Sequence, residues 1–268
     1  KIFGTAKWMT GHGIIDYILG VLDSLFTGRL LSPANLGLYI KARDLANAPI
    51  APFFTIFDKL GFAAYAKIQD KLGKVQEGFI KTFDVMLAVS VPIFLLLLAK
   101  GGWVVTVLLG PNWLGVVLPL KILSASMIFS SLVLISRPLF DALGRPDINL
   151  KINVVQLSSL LVWLYLGAKY GGLMGVSLAM LISWFSSTLY TIFKARPVLR
   201  LGWDKFEGTV MSVGGASLAV TVVAAPLYLW NEIGDQSFWL SSLFITLLGA
   251  LYLFFLYFIG RNYERGPW

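Results

Sequence analysis

Apolar residues fall along this chain in blocks of about 20, the length that crosses a bilayer core of about 30 Å, and short polar segments separate them. The blocks predict helices over residues 8–31, 36–65, 82–99, 114–136, 150–168, 173–193, 209–230 and 238–259. The second block is long, mixed in polarity and holds Pro49 and Pro52, so a bent or broken helix is expected there. Residues 103–109 are too few to cross and are expected at the interface or in a re-entrant piece. The longest polar stretch, 67–78, reads as a loop with amphipathic helical character. The expected fold class is all-α: a polytopic membrane helix bundle of about eight transmembrane helices.

Composition agrees, since 57% of the 268 residues are hydrophobic and 13% charged, against roughly 25% charged in a soluble domain. The net charge of +8 changes the picture only through its placement. Basic residues cluster around Lys1 and Lys7, Lys67 to Lys81, Arg137 to Lys151, Lys194 to Lys205, and Arg261 with Arg265, which together hold 15 of the 22. These clusters fall on alternate turns. The opposite turns hold chiefly Lys100 and Lys169, and residues 231–237 carry Glu232 and Asp235 without a basic residue. By the positive-inside rule both termini are expected in the cytoplasm. Trp103, Trp113, Trp230 and Trp239 fall at span ends on the other side, where an aromatic belt would stand. Basic residues dispersed in this way argue against a nucleic-acid partner.

Cysteine is absent and His12 is the single histidine, which excludes disulfides, thiolate metal sites and His-rich metal sites. No nucleophile elbow, phosphate-binding loop or zinc-protease motif occurs, so an enzyme is not expected, nor a cofactor. The first residue is not Met, no cleavable leader is recognisable, and the chain is expected to begin in mid-protein.

Ionisable side chains at membrane depth are costly unless paired or hydrated, which makes them the candidate functional residues. His12, Asp16, Asp23 and Thr27 recur at spacings of four, seven and four and share one face of the first helix with Gly20. The second block adds Lys41, Arg43, Asp44, Asn47, Asp58 and Lys59, and the fourth holds Lys121. Lys41 with Asp44 and Arg43 with Asn47 have spacings at which side chains meet. Asp23 with Arg29 or Lys41 is a candidate packing pair. The competing reading is a hydrated cavity whose cations suit an anionic substrate such as a phosphate or pyrophosphate. Asp16 and Asp23 are candidates for proton or sodium coupling. Small residues around the seventh block, among them Gly208, Ser212, Gly214 and Gly215, are expected to allow close helix packing.

The run from Asp23 to Ala42, DSLFTGRLLSPANLGLYIKA, closely resembles the opening of the C-terminal half of bacterial polysaccharide flippases, the lipid-linked oligosaccharide exporters of the multidrug/oligosaccharidyl-lipid/polysaccharide superfamily. Leu109-Gly110-Pro111-Asn112-Trp113, Leu143-Gly144-Arg145-Pro146-Asp147 and Gly171-Gly172-Leu173-Met174-Gly175 look like three further turns of that family, in the same order and spacing, most like the lipopolysaccharide or colanic-acid exporter branch. Ser32-Pro33 stands where the family often has Leu-Gly.

The resemblance implies a second six-helix lobe over 1–205 followed by two extra helices over 206–268, in a bacterial inner membrane. It also implies export of an undecaprenyl-diphosphate-linked oligosaccharide by alternating access against a missing N-terminal lobe or a second copy. The family's first two helices line the central cavity. Arg29 and Arg43, with Lys41 and Lys59, are accordingly the substrate-binding candidates, and Asp16, Asp23 and Asp44 the coupling or ion-pairing ones. A drug or metabolite antiporter and a non-transporting assembly subunit are the alternatives.

Overall fold

The computed structural model describes residues 2–202, which form α1 (Ile2–Leu30), α2 (Pro33–Asn47), α3 (Ala51–Ile68), α4 (Leu72–Leu109), a 3-10 turn (Pro111–Val116), α5 (Val117–Ala142) and α6 (Pro146–Leu199). The described residues contain no strand. The helices expected over 209–230 and 238–259, with Trp230, Trp239 and the small residues around 208–219, lie outside the described residues. Three of the described helical segments, Leu72–Leu109, Pro111–Ala142 and Pro146–Leu199, are long and apolar enough to cross a membrane.

The expected break in the second block is present: α2 stops at Asn47 and α3 starts at Ala51. Pro49 lacks an amide hydrogen and its ring crowds the preceding turn, so the helix cannot run through it, whereas Pro52 sits in the first turn of α3 where no donor is needed. Ser32 is extended and its hydroxyl accepts from the Asn35 amide at 3.2 Å, capping α2 ahead of Pro33. Helix α4 begins at Leu72, ten residues before the expected start, because the amphipathic stretch is already helical. It bends at Lys100 (φ −115°, ψ 17°), and the short piece beyond the bend ends at Gly110, whose φ of 93° precedes Pro111.

A straight helix of 54 residues would measure about 80 Å, more than twice a bilayer core. Helix α6 instead reverses at Gly172 (φ 55°, ψ −136°). Its two limbs run antiparallel, with the Ser183 hydroxyl donating to the Gln156 carbonyl at 3.1 Å and the Ser159 and Ser186 hydroxyls 3.3 Å apart. Next to the reversal Gly167 and Gly175 meet backbone to backbone, so that a Cβ on either would collide with the other's carbonyl. At the α5–α6 corner Gly144 (φ 69°) terminates α5: its amide donates to Asp141 O at 3.1 Å and that of Arg145 to Phe140 O at 2.8 Å. That pair of bonds is a Schellman ending, and Pro146 with Asp147 then opens the next helix.

Helix α5 is the centre of the described bundle, packed by α2, α3, α4 and α6, while α1 lies along α6. Tyr39, Ala42, Leu120, Leu123, Leu160, Leu164 and Val176 are buried together in the apolar core. Serines also line this interior, and most discharge their hydroxyls locally: Ser90 onto Met86 O, Ser126 onto Leu123 O, Ser136 onto Leu132 O, Ser187 onto Ser183 O. Polarity of that kind is compatible with a lipid-embedded core because no donor is left over.

Gly175→Ala should force the limbs of α6 apart at a cost of about 1–3 kcal/mol, whereas Gly171→Ala, where a Cβ meets nothing within 4 Å, should be neutral. Thermal unfolding of the two purified variants, followed by loss of monodisperse protein on gel filtration, measures the contrast.

Candidate functional site

The polar stripe of α1 resolves into two separate ion-pair networks. Asp23 is 1% exposed. Its Oδ2 accepts from Tyr39 Oη and from Arg43 Nη1, each at 2.8 Å, and its Oδ1 accepts from the Ser24 hydroxyl at 3.2 Å. Arg43 Nη1 also donates to Ser24 Oγ at 3.1 Å, and the guanidinium lies 5.8 Å from the centre of the Tyr39 ring. Thr27 turns its hydroxyl back onto the Asp23 carbonyl at 2.7 Å. A carboxylate removed from water thus receives a full positive charge and neutral donors at once, which is what makes its burial tolerable.

Two turns earlier, Asp16 takes both terminal nitrogens of Arg137 in a bidentate pair, each bond 2.9 Å long. Asn153 Nδ2 approaches Asp16 Oδ1 and the His12 carbonyl at 3.3 Å each, and Asn153 Oδ1 accepts from Arg137 Nη2 at 3.2 Å. Asn149 Nδ2 donates to the Arg137 carbonyl at 3.1 Å and to Asp141 Oδ1 at 2.9 Å. This second network ties α1 to α5 and to the first limb of α6. The fork of the guanidinium fixes orientation as well as charge.

The two networks correct the expected pairings. Asp23 is paired with Arg43, one of the two arginines that the family resemblance offered to the acids of α1, and neither Arg29 nor Lys41 takes that place. On α2 neither Lys41 with Asp44 nor Arg43 with Asn47 forms an ion pair or hydrogen bond, because Arg43 reaches across to α1 and Asp44 is exposed. Arg29, Lys41 and Lys59 are exposed on α1, α2 and α3, and none has an ion pair among the described residues. Asp58 is exposed on α3, and Lys121 is half-buried with its side chain 3.6 Å from where a Gly101 Cβ would stand. Among the described residues no group of three or more acids or histidines is placed to hold a metal.

Sequence reasoning passed over Arg137 and Asn149. Arg137 counted as a loop cation because it stands at the end of an apolar block, and its length lets it turn inward. The available signal was Asn149, Asn153 and Gln156, at spacings of four and three on one face of an apolar helix, all buried here. Large amides in such a helix need partners on its neighbours, which here are α5 for Asn149 and both α1 and α5 for Asn153.

Residues 1–118 match the family model described as polysaccharide biosynthesis protein. Lipopolysaccharide biosynthesis protein WzxC of Escherichia coli strain K12 is 28% identical over 200 residues, which make up 74% of this chain and 41% of that protein. An uncharacterized membrane protein in the cps region of Klebsiella pneumoniae is 24% identical over 196 residues, 72% of this chain and 40% of its own. The chain thus spans about two fifths of the length of these relatives. A solved structure titled lipid II flippase MurJ, inward closed conformation, superposes with a TM-score of 0.76 at 14% identity, over 95% of this chain and 53% of that one. At that identity the likeness is one of fold.

Asp23→Ala should destabilise the lobe by about 3–5 kcal/mol, since it strands Arg43 and the Tyr39 hydroxyl in the interior. Asp23→Asn with Arg43→Gln in one chain should recover part of the loss. Thermal midpoints of the single and double variants in detergent give the comparison.

Proposed function

We propose that this chain, whose likenesses point to the polysaccharide flippase and exporter family, supplies one lobe of a transporter that moves an anionic lipid-linked oligosaccharide across a bacterial inner membrane. The substrate class is an undecaprenyl-diphosphate saccharide, and the other wall of the pathway is a first lobe or a second copy. The observation that carries this reading is the division of labour among the cations. Arg43 and Arg137 are consumed by Asp23 and Asp16, while Arg29, Lys41 and Lys59 stand exposed without an ion-pair partner among the described residues on the three helices that open the lobe.

A diphosphate entering a low-dielectric pathway requires cations that are not already neutralised by the protein. Arg29, Lys41 and Lys59 meet that condition, and the planar fork of Arg29 suits phosphate oxygens best. Arg43 keeps a substrate-facing role only through its partly exposed side chain, 25% accessible beside Asp23. Asp16 and Asp23 serve coupling or ion pairing, and Asp44 is the exposed acid of the set. The assembly-subunit reading loses force because the acids of α1 find their cations inside the chain.

Arg29→Gln and Lys59→Gln, made in a full-length exporter context, should each lower surface polysaccharide at least about tenfold, the weight of one charge-assisted contact of about 1.5–3 kcal/mol. The lipid-linked precursor should accumulate while membrane insertion is unchanged. Wild-type surface polysaccharide in both variants would remove the cavity assignment.

A further inference from the structure

The described tyrosines sort by where their hydroxyls find partners. Tyr39 and Tyr65 are buried and donate to Asp23 and Thr82. Tyr165 and Tyr170 are exposed, but they stand within about two turns of the α6 reversal, and the Lys169 ammonium lies 6.0 and 5.3 Å from their ring centres. A span end at headgroup level is where an exposed tyrosine is ordinarily found, because the ring meets acyl chains and the hydroxyl meets water. Tyr17 fits neither class. It is 73% exposed yet stands near the middle of α1, a helix of 29 residues that is long enough to cross a bilayer. At that depth lipid offers its hydroxyl nothing.

The helix surface around Tyr17 is clear as well. Gly13 and Gly20, at i−4 and i+3, flank it on the same face and are exposed. A Cβ on either would meet nothing within 4 Å, and neither has the positive φ that favours glycine. Among the described residues they therefore serve neither close packing nor backbone conformation, although glycine weakens a helix interior. Their effect is to leave both flanks of the ring uncovered, since a helical side chain leans toward the N-terminus, here over Gly13. One turn beyond Gly20 on this face is Ser24, whose hydroxyl accepts from Arg43 Nη1, and the Arg43 side chain is itself partly accessible. Asp16, next in sequence to Tyr17, has a side chain 38% exposed. Charged atoms thus open beside this face at two levels, and it borders water rather than acyl chains.

We propose that Tyr17 is a stacking platform for a sugar ring of the lipid-linked substrate and so contributes to which saccharide is accepted. A pyranose has faces of C–H bonds, which carry partial positive charge, and a rim of hydroxyls. The C–H face suits the negative face of an aromatic ring, and the phenol hydroxyl stays free for the rim. Ser24 and Tyr17 are seven residues apart, about 10 Å along the helix axis. A diphosphate held at the level of Arg43 and Lys41 brings the sugars that follow it to the level of Tyr17. This role rests on the substrate reading above, and two probes that differ only in the sugar separate the failure of one from the failure of the other.

The probes are undecaprenyl diphosphate and undecaprenyl diphosphoglucose, chosen because glucose presents an unobstructed C–H face. Their affinities are read by native mass spectrometry from nanodiscs that hold the lobe in a full-length exporter context. Glucose should tighten binding about three- to tenfold. Tyr17→Ala should remove that gain and leave the affinity for undecaprenyl diphosphate unchanged, whereas Tyr17→Phe and Tyr17→Trp should keep it. Gly20→Leu should also remove it by covering the ring, with a thermal midpoint no lower than the parent's, since the side chain enters open space and leucine favours a helix. Equal affinity for the two probes in the parent protein would overturn the sugar contact and spare the diphosphate assignment; binding of neither probe would overturn both. Loss of the gain in Tyr17→Phe would replace stacking by a hydroxyl bond. If Tyr17→Ala weakens both probes alike, or parts the lobe from a first lobe during purification, the ring is a packing contact and the platform is overturned.

Discussion

A carboxylate inside a membrane protein has to be neutralised by something within reach, and in this lobe that requirement positions α1. Asp16 is clamped by Arg137 and Asp23 by Arg43, so the helix is attached to α5 and α6 near one end and to α2 near the other. Apolar packing alone would leave its rotation about its own axis poorly defined, because lipid and protein are nearly equivalent surroundings for a leucine. Hydrogen bonds of fixed geometry define it. The placement of the cationic surface of α1, α2 and α3 follows from that orientation.

The two attachments differ in kind. The Asp23 group is closed and satisfied: tyrosine, arginine and serine all converge on one buried carboxylate. The Asp16 group is partly exposed and retains unpartnered atoms. A saturated network resists rearrangement, and an unsaturated one has a second arrangement close in energy. One helix is therefore fixed at one end and adjustable at the other.

Much of the architecture was legible because the turns are written in glycine and proline. The three glycines at positive φ among the described residues, Gly110, Gly144 and Gly172, fall in the three short motifs that carried the resemblance. Those motifs are therefore backbone punctuation, which local sequence expresses well. Helix starts were less legible, as in the early onset of α4, because an amphipathic turn is indistinguishable from a loop until it has something to pack on. The site was legible only in part. Asp16 and Asp23 were visible as charges in an apolar block, but their partners, Arg137 and Arg43, are set by contacts 121 and 20 residues away along the chain. Spacing rules on one helix favoured Lys41 with Asp44, and tertiary packing chose otherwise.

The contact between Gly167 and Gly175 has a bearing on how the protein is made. With no side chain between them, the two limbs of α6 close on each other within the first turns on either side of Gly172, a contact made by α6 alone. The hairpin can therefore enter the bilayer as one preassembled body rather than as two independent segments. Its failure would show in biogenesis, as chains degraded before they reach the membrane, and would deplete the protein without altering its other contacts.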